Sequence, residues 1–291
     1  YDFGAVMARM RKLRARISHN DSVHRYTKLG VDVYIGNGRF TGADTIQVEG
    51  PAGNRTLTFA KAAVCTGARA SAPPTPGLQE AGYLTNETIF SLTELPPRLG
   101  VIGAGPIGCE LAQSFARFGS QVYLIETIHG ILPNEDRDAA DIVEQQMLRD
   151  GVKLLCCGKD LKVSRTDNGK RLTVDSHGQR YDVTVDEILV GVGRTPNVEG
   201  IGLEAVAVEY DKNGVKVNAR LQTTNPRIFA AGDICSKYKF THAADAMAQI
   251  VIQNALFPHP LGLGYASTDS LIMPWCTFTE PEIAHVGMYE A

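Results

Sequence analysis

The chain of 291 residues lacks most of what would mark a membrane, nucleic-acid-binding or secreted protein. No stretch approaches the roughly 18 consecutive apolar residues of a membrane span, so no transmembrane segment is expected. Net charge is only -3 with 21% charged residues, which leaves no basic excess for a nucleic acid to meet. Aromatics are sparse, at 7% with a single Trp, and none interleaves with the basic positions near the start. The six cysteines, Cys65, Cys109, Cys156, Cys157, Cys235 and Cys276, form no regular framework and no CxxC. That spacing excludes a disulfide-stapled scaffold and predicts a reducing intracellular compartment. No metal site is expected: the Cys156-Cys157 pair ends the apolar run VKLL, where free cysteine behaves as a small core hydrophobe. The sequence starts at Tyr1 and stops at Ala291 inside what reads as an element, so both ends are expected to be missing and a targeting segment would not show.

What is present is organised around residues 98–126, RLGVIGAGPIGCELAQSFARFGSQVYLIE. An apolar run (Leu99, Val101, Ile102) enters Gly103-Ala104-Gly105-Pro106-Ile107-Gly108, a helical pattern follows, and a second apolar run (Val122, Leu124, Ile125) ends on Glu126. This is the order strand, glycine turn, helix, strand, acid. Gly103 allows the tight turn, Gly105 lets backbone approach a pyrophosphate, and Gly108 lets the helix pack close to the strand. Phosphates sit on the helix N-terminus, where unpaired N–H groups and the helix dipole favour negative charge. Ile107, Leu111, Phe115 and Phe118 are expected on the packed face, with Gly119 ending the helix. A carboxylate at Glu126 can accept both ribose hydroxyls and would repel a 2′-phosphate, which favours NAD over NADP; the alternative is an acid that merely caps a loop.

The length suits about two domains. Phe3, Val6, Met7, Met10, Leu13 and Ile17 predict an amphipathic helix over about residues 3–19, running on towards Leu29, with Arg9, Arg11, Lys12, Arg14 and Arg16 as a solvated basic face. From Val31 the period becomes two: VDVYIG, RFTG, TIQVEG, RTLTFA and KAAVCTG read as short strands. Pro73, Pro74 and Pro76 then end the first module and open a linker to about Pro97. A helix is signalled between Asp136 and Asp150, with Ala139, Ala140, Val143 and Met147 on one face and Gly151 as the stop. VKLLC completes βαβαβ, three antiparallel strands joined by turns at Asp167-Asn168-Gly169 and Ser176-His177-Gly178 make an excursion, and EILVGVG returns to the sheet. Further on, the buried strand IFAA stops at Gly232-Asp233 before a helix over His242 to Leu256. Asp233 is placed either to accept a sugar hydroxyl of a bound nucleotide or to serve as an ordinary turn aspartate. SLIMP reads as a strand, followed by TFTEPEIAHVG, whose partner elements are expected outside the chain.

The order VCTGARA, VIGAGPIGCELA with Glu126, GVGRTPN, TTNPRIFAAGDI and TFTEPEIAHVG resembles the class I pyridine nucleotide-disulfide oxidoreductases, such as dihydrolipoyl dehydrogenase and mercuric reductase. The resemblance implies an α/β fold of FAD/NAD(P)-binding Rossmann-like three-layer domains, with the NAD domain inserted into the FAD domain. It assigns residues 1–95 and 203–265 to an incomplete FAD domain, 96–202 to the NAD domain, and 266–291 to the start of a dimerisation domain. Backbone near Gly38 would meet the adenine of FAD, Thr66, Gly67 and Ala68 would pass close to it, Asp233 would hold its sugar or ribityl chain, and Lys239, Phe240, Thr241 and His242 would edge the flavin. Gly103, Ala104, Gly105, Pro106, Ile107, Gly108, Glu110, Glu126 and Gly193 would line NAD. Read alone, Glu110 is a helix-surface acid; the resemblance puts it at the nicotinamide–flavin junction beside a lysine, as the catalytic candidate.

The family's first G-x-G-x-x-G, its C-x-x-x-x-C redox pair, the lysine after it and the C-terminal His-Glu pair are not in this sequence. The implied parent is a homodimeric FAD- and NAD-dependent enzyme acting on a small disulfide or dithiol, or on Hg(II), with no nucleic-acid or membrane partner. The chain by itself is expected to be inactive in thiol exchange. The alternatives are a flavin-dependent reductase of ferredoxin or a quinone, and a nucleotide-binding redox sensor without turnover.

Overall fold

The computed structural model describes residues 1–288. The chain forms two compact units: one comprises Tyr1–His19, Ala70–Gly193 and the segment from Pro274, the other Asn20–Arg69 and Arg194–Met273. These cuts at 69/70 and 193/194 differ from the boundaries near 95 and 202 read from the sequence. The proline-rich linker explains the first difference. Leu78, Ala81 and Ile89 within it are fully buried, and Leu84 bridges to Leu189, so the linker packs with the segment that follows it. The last part of the expected dimerisation segment, 289–291, lies outside the described residues.

The first unit is built on β1 (Arg98–Ile102), α1 (Pro106–Phe118), β2 (Gln121–Ile125), α2 (Arg137–Arg149), β3 (Lys153–Leu155), the excursion β4 (Lys159–Thr166), β5 (Gly169–Ser176) and β6 (Gln179–Val185), and the returning β7 (Glu187–Val190). The parallel sheet has the order β7-β1-β2-β3, and β6-β5-β4 forms an antiparallel meander. Alternation along the buried strands sends successive side chains to opposite faces. Leu99, Val101, Val122, Leu124 and Leu189 pack with Cys109, Ala112 and Phe115 of α1 and with Ala140, Val143 and Met147 of α2. Ile102, Ile125, Ile188 and Val190 pack on the other face against Leu172, Val174 and Val185 of the meander. The result is helix, sheet, meander: three layers. Each fully buried Leu or Ile contributes about 2 kcal/mol. Gly100 seats the meander, because a Cβ there would lie 2.6 Å from Leu172 Cδ1.

Some expectations need correction. The fully buried residues of α1 are Gly108, Cys109, Ala112, Gln113 and Phe115; of the expected packed face, Leu111 and Phe118 are half-buried against the same core and Ile107 is half-buried. The short residues Gly108, Cys109 and Ala112 lie where the helix comes closest to the strand, and Phe115 fills the core further along. Helix Phe3–Ile17 forms, but only Phe3 and Met7 are buried, in the core of the first unit. It breaks into a 3₁₀ turn before a separate helix Val23–Lys28. Its basic face is not purely solvated, since Arg11 donates to the carbonyls of Phe90 (3.4 Å) and Leu92 (3.1 Å).

In the second unit, Asn37–Gly42, Thr45–Glu49 and Arg55–Thr58 form an antiparallel meander, and Ala62–Val64 pairs in parallel with Ile228–Ala230. Ile228 and Ala230 face a cluster with Val64, Leu203 and Val215, while Phe229 and Ala231 pack with Met247, Ile250 and Val251 of helix Thr241–Leu256. VDVYIG is not a strand: Val31, Val33, Tyr34 and Ile35 are exposed, and no described strand pairs with them, so their alternation has no lateral hydrogen bonds to satisfy it. SLIMP is not a strand either; Ile272 is exposed. In the first unit, Trp275–Thr277 pairs with Ile283–His285, so the TFTEPEIAHVG segment finds a strand partner within the chain, in the residues just before it. Among the described residues no helix is long and apolar enough to cross a membrane.

Candidate dinucleotide site

The glycine turn between β1 and α1 has the geometry its residue types demand. Gly103 sits at φ +101°, and a Cβ there would lie 2.7 Å from the Gly191 carbonyl oxygen. A Cβ at Gly108 would lie 1.9 Å from the carbonyl oxygen of Gly103, so only glycine lets the helix start this close to the strand. At Gly105 nothing lies within 4 Å of that position, which leaves open space over the turn. Pro106 occupies the first turn of α1, where a missing N–H costs nothing, and Ile107 beside it is half-buried. Glu126 follows β2 directly, beside this turn. Its Oε2 accepts the Ala104 N–H (2.8 Å), and its Oε1 accepts from the backbone of Thr127 (2.6 Å) and Ile128 (3.3 Å) and from Thr127 Oγ1 (3.0 Å). The carboxylate thus ties the glycine turn to the loop that follows β2. These residues fit a dinucleotide: an open, amide-lined turn at a helix N-terminus and an acid at the second strand's end.

Glu110, one turn further along α1, is half-buried and accepts the Phe278 N–H at 2.9 Å. Burial pushes its carboxyl above the usual range, and the Phe278 amide opposes that shift. Gln113 fastens the same segment, donating to the Glu280 carbonyl (2.7 Å) and accepting its N–H (2.8 Å). The described chain gives Glu110 a backbone amide as its partner, and no lysine.

In the second unit the structure joins Thr66, Gly67, Ala68 and Asp233 through residues the sequence reading left out. Arg194 donates to Asp233 Oδ2 (3.0 Å) and to the Ala68 carbonyl. Asn197 donates to the Thr66 carbonyl (2.9 Å) and, through its N–H, to that of Gly67 (3.0 Å), while Thr66 Oγ1 donates back to the Asn197 carbonyl (3.0 Å). Both connectors belong to the GRTPN segment, of which only Gly193 was singled out; Arg194 opens a short strand, Arg194–Pro196, and its charge was the available signal. Asp233 Oδ1 is bonded by no described residue, so this oxygen fits a sugar hydroxyl. Lys239 Nζ donates to the carbonyls of Asp233 (3.3 Å) and Ser236 (3.2 Å), and Phe240 stacks on His242 at a centroid distance of 5.4 Å, where Thr241 starts its helix. Gly38 stands apart, exposed in the meander and paired with Val48.

Together the fold and the turn define a dinucleotide-binding α/β protein. The profile of the family described as pyridine nucleotide-disulphide oxidoreductase matches residues 5–248. The chain belongs to that family. It is 34% identical over 262 residues to a mercuric reductase of Staphylococcus aureus, covering 90% of this chain and 46% of that protein. It is 31% identical over 261 residues to a dihydrolipoyl dehydrogenase of Bacillus subtilis (strain 168), covering 89% and 55%. Among solved structures, the Cu(II) complex of the HOCl-induced flavoprotein disulfide reductase RclA from Escherichia coli superposes with a TM-score of 0.88 at 30% identity, covering 99% of this chain and 64% of that one. The chain spans about half the length of the curated relatives it matches.

Proposed function

We propose that the protein carrying this chain is an FAD-dependent, NAD(H)-linked oxidoreductase that exchanges electrons with a small disulfide or dithiol, or with Hg(II). The observation that supports it most directly is the Gly103–Gly108 turn with Glu126 bonded to its Ala104 amide. In this reading residues 96–202 hold NAD, residues 1–95 and 203–265 contribute to FAD binding, and 266–291 opens the interface of a homodimer. The turn's amides orient the pyrophosphate, and Glu126 takes the ribose hydroxyls and disfavours a 2′-phosphate, so NAD is preferred to NADP. Asp233, steadied by Arg194, offers its second oxygen to the sugar or ribityl chain of FAD, with Thr66–Ala68 alongside. Bound flavin would supply the chemistry that links a hydride donor to a dithiol. Glu110, half-desolvated, would stand as a proton-bearing or cation-pairing group where nicotinamide meets flavin.

The test is an anaerobic NADH titration of the purified protein, following the flavin band and counting thiols. Bleaching with two new thiols per flavin, and turnover with lipoamide or Hg(II), is the expected result. Bleaching without new thiols would replace this reading by a ferredoxin or quinone reductase, and an unbleached flavin by a redox-sensing nucleotide binder.

A further inference from the structure

Four side chains outside the nucleotide turn converge in the first unit: His129, Cys156, Cys157 and His177, with one donor atom from each lying within 4.8 Å of all the others. Read along the sequence, Cys156 and Cys157 are packing residues at a strand end, and the histidines lie 27 residues before and 21 after them. The fold brings three segments together: the loop after β2, the end of β3 and the β5–β6 hairpin. Cys156 Sγ is 3.2 Å from His177 Nε2, and Cys157 Sγ is 3.8 Å from His129 Nδ1. The two rings stand at 88° with centroids 6.0 Å apart, edge to face around the sulfurs.

We propose that these four residues form a metal site for a soft, four-coordinate cation, Zn²⁺ in the first instance. The donor set argues for it: two thiols and two imidazoles are the ligands such an ion prefers, and carboxylates, which would favour a harder ion, do not enter the cluster. The distances argue for it as well. Bonds of about 2.3 Å to sulfur and about 2.0 Å to nitrogen put ligand atoms about 3.3–3.8 Å apart in a tetrahedron. Both Cys–His pairs are already close to that edge length, and the rest closes with about an ångström of side-chain movement, which exposed His129 can supply.

The backbone is set for the purpose. Cys157 and His177 hold left-handed φ values of +54° and +50°, which turn their side chains out of the regular strand direction towards one point. Cys157 N–H donates to the Ile128 carbonyl (2.9 Å), and Ser176 Oγ to the Cys156 carbonyl (2.5 Å), so the three segments are already laced together. Binding Zn²⁺ releases the two thiol protons to solvent and leaves a complex of zero net charge. No oxidant or reductant is involved, and the inference does not depend on the nucleotide reading.

The test is titration of the reduced full chain with Co²⁺, then Zn²⁺, in wild type, His129→Ala and Cys157→Ser. The expected result is one equivalent of Co²⁺ with intense tetrahedral d–d bands and a sulfur charge-transfer band, lost on adding Zn²⁺, and an affinity lower by about tenfold or more in either variant. Weak octahedral spectra in the wild type, or unchanged affinity in both variants, would overturn it. Alkylation mapped by mass spectrometry on the wild type avoids any dependence on variant folding. Zn²⁺ must protect Cys156 and Cys157 together; equal labelling with and without Zn²⁺ refutes the site.

Discussion

The two units differ in how their parallel strands are sheltered. In the first, four parallel strands are covered by helices on one face and a meander on the other, so most of the strand side chains are buried. In the second, the parallel strands among the described residues are two, and the apolar segment Val31–Ile35 remains exposed and unpaired. A parallel sheet is stable when both faces are covered, which makes the first unit the stronger candidate to fold by itself. Its glycine turn follows from close backbone packing; the second unit's cluster is held by side-chain hydrogen bonds.

Limited proteolysis tests this contrast at its largest scale. A resistant core covering about residues 70–193 is expected, with the earliest cuts near 31–36; uniform degradation would remove the distinction. Next in size, Gly108→Val forces a side chain into the Gly103 carbonyl and is expected to abolish NADH binding and to cost about 3 kcal/mol in thermal unfolding. Its counterpart Gly67→Ala, at φ +67° but with open space around it, should cost only about 1 kcal/mol. Similar losses for the two would show that crowding is not what distinguishes the turns.

Glu126→Gln keeps the side chain's shape but removes its charge. The ratio of NADPH to NADH affinity should rise about tenfold, or about 1.4 kcal/mol, measured by nucleotide titration; an unchanged ratio would assign Glu126 to bracing the loop alone. The smallest effect is in pH dependence. Arg98 donates to both carboxylate oxygens of Asp186 (2.6 and 3.1 Å) and holds that carboxyl below its ordinary range. A depressed folded value means the pair stabilises above the unfolded carboxylate pKa and fades as pH falls through the folded one. With about a third of each side chain exposed, Asp186→Asn should remove less than about 1 kcal/mol of that acid dependence in melts between neutral and low pH.

Much of the first unit was legible because its signals are local. Glycines at 103, 105 and 108, the stop at Gly151 and the turn at Ser176-His177-Gly178 each impose a backbone conformation on their own neighbours. Where the reading went astray, the cause was non-local. Val31–Ile35 alternates like a strand, yet alternation becomes a strand only when another strand lies beside it. Ile107 and Leu111 are the most apolar residues near the start of α1, yet full burial there falls to Gly108, Cys109 and Ala112.

Residue order by itself determined the βαβαβ unit, the glycine turn, the acid at Glu126 and the family, because each rests on short-range geometry or on motifs in a fixed order. Tertiary structure alone decided that Arg194 and Asn197 lace Asp233 and Thr66–Ala68 into one cluster, that Glu110 meets the Phe278 amide, and that two cysteines and two histidines from three segments share a point. Such meetings depend on how strands are ordered in a sheet and where turns aim their side chains. Neither is encoded in the spacing along the chain.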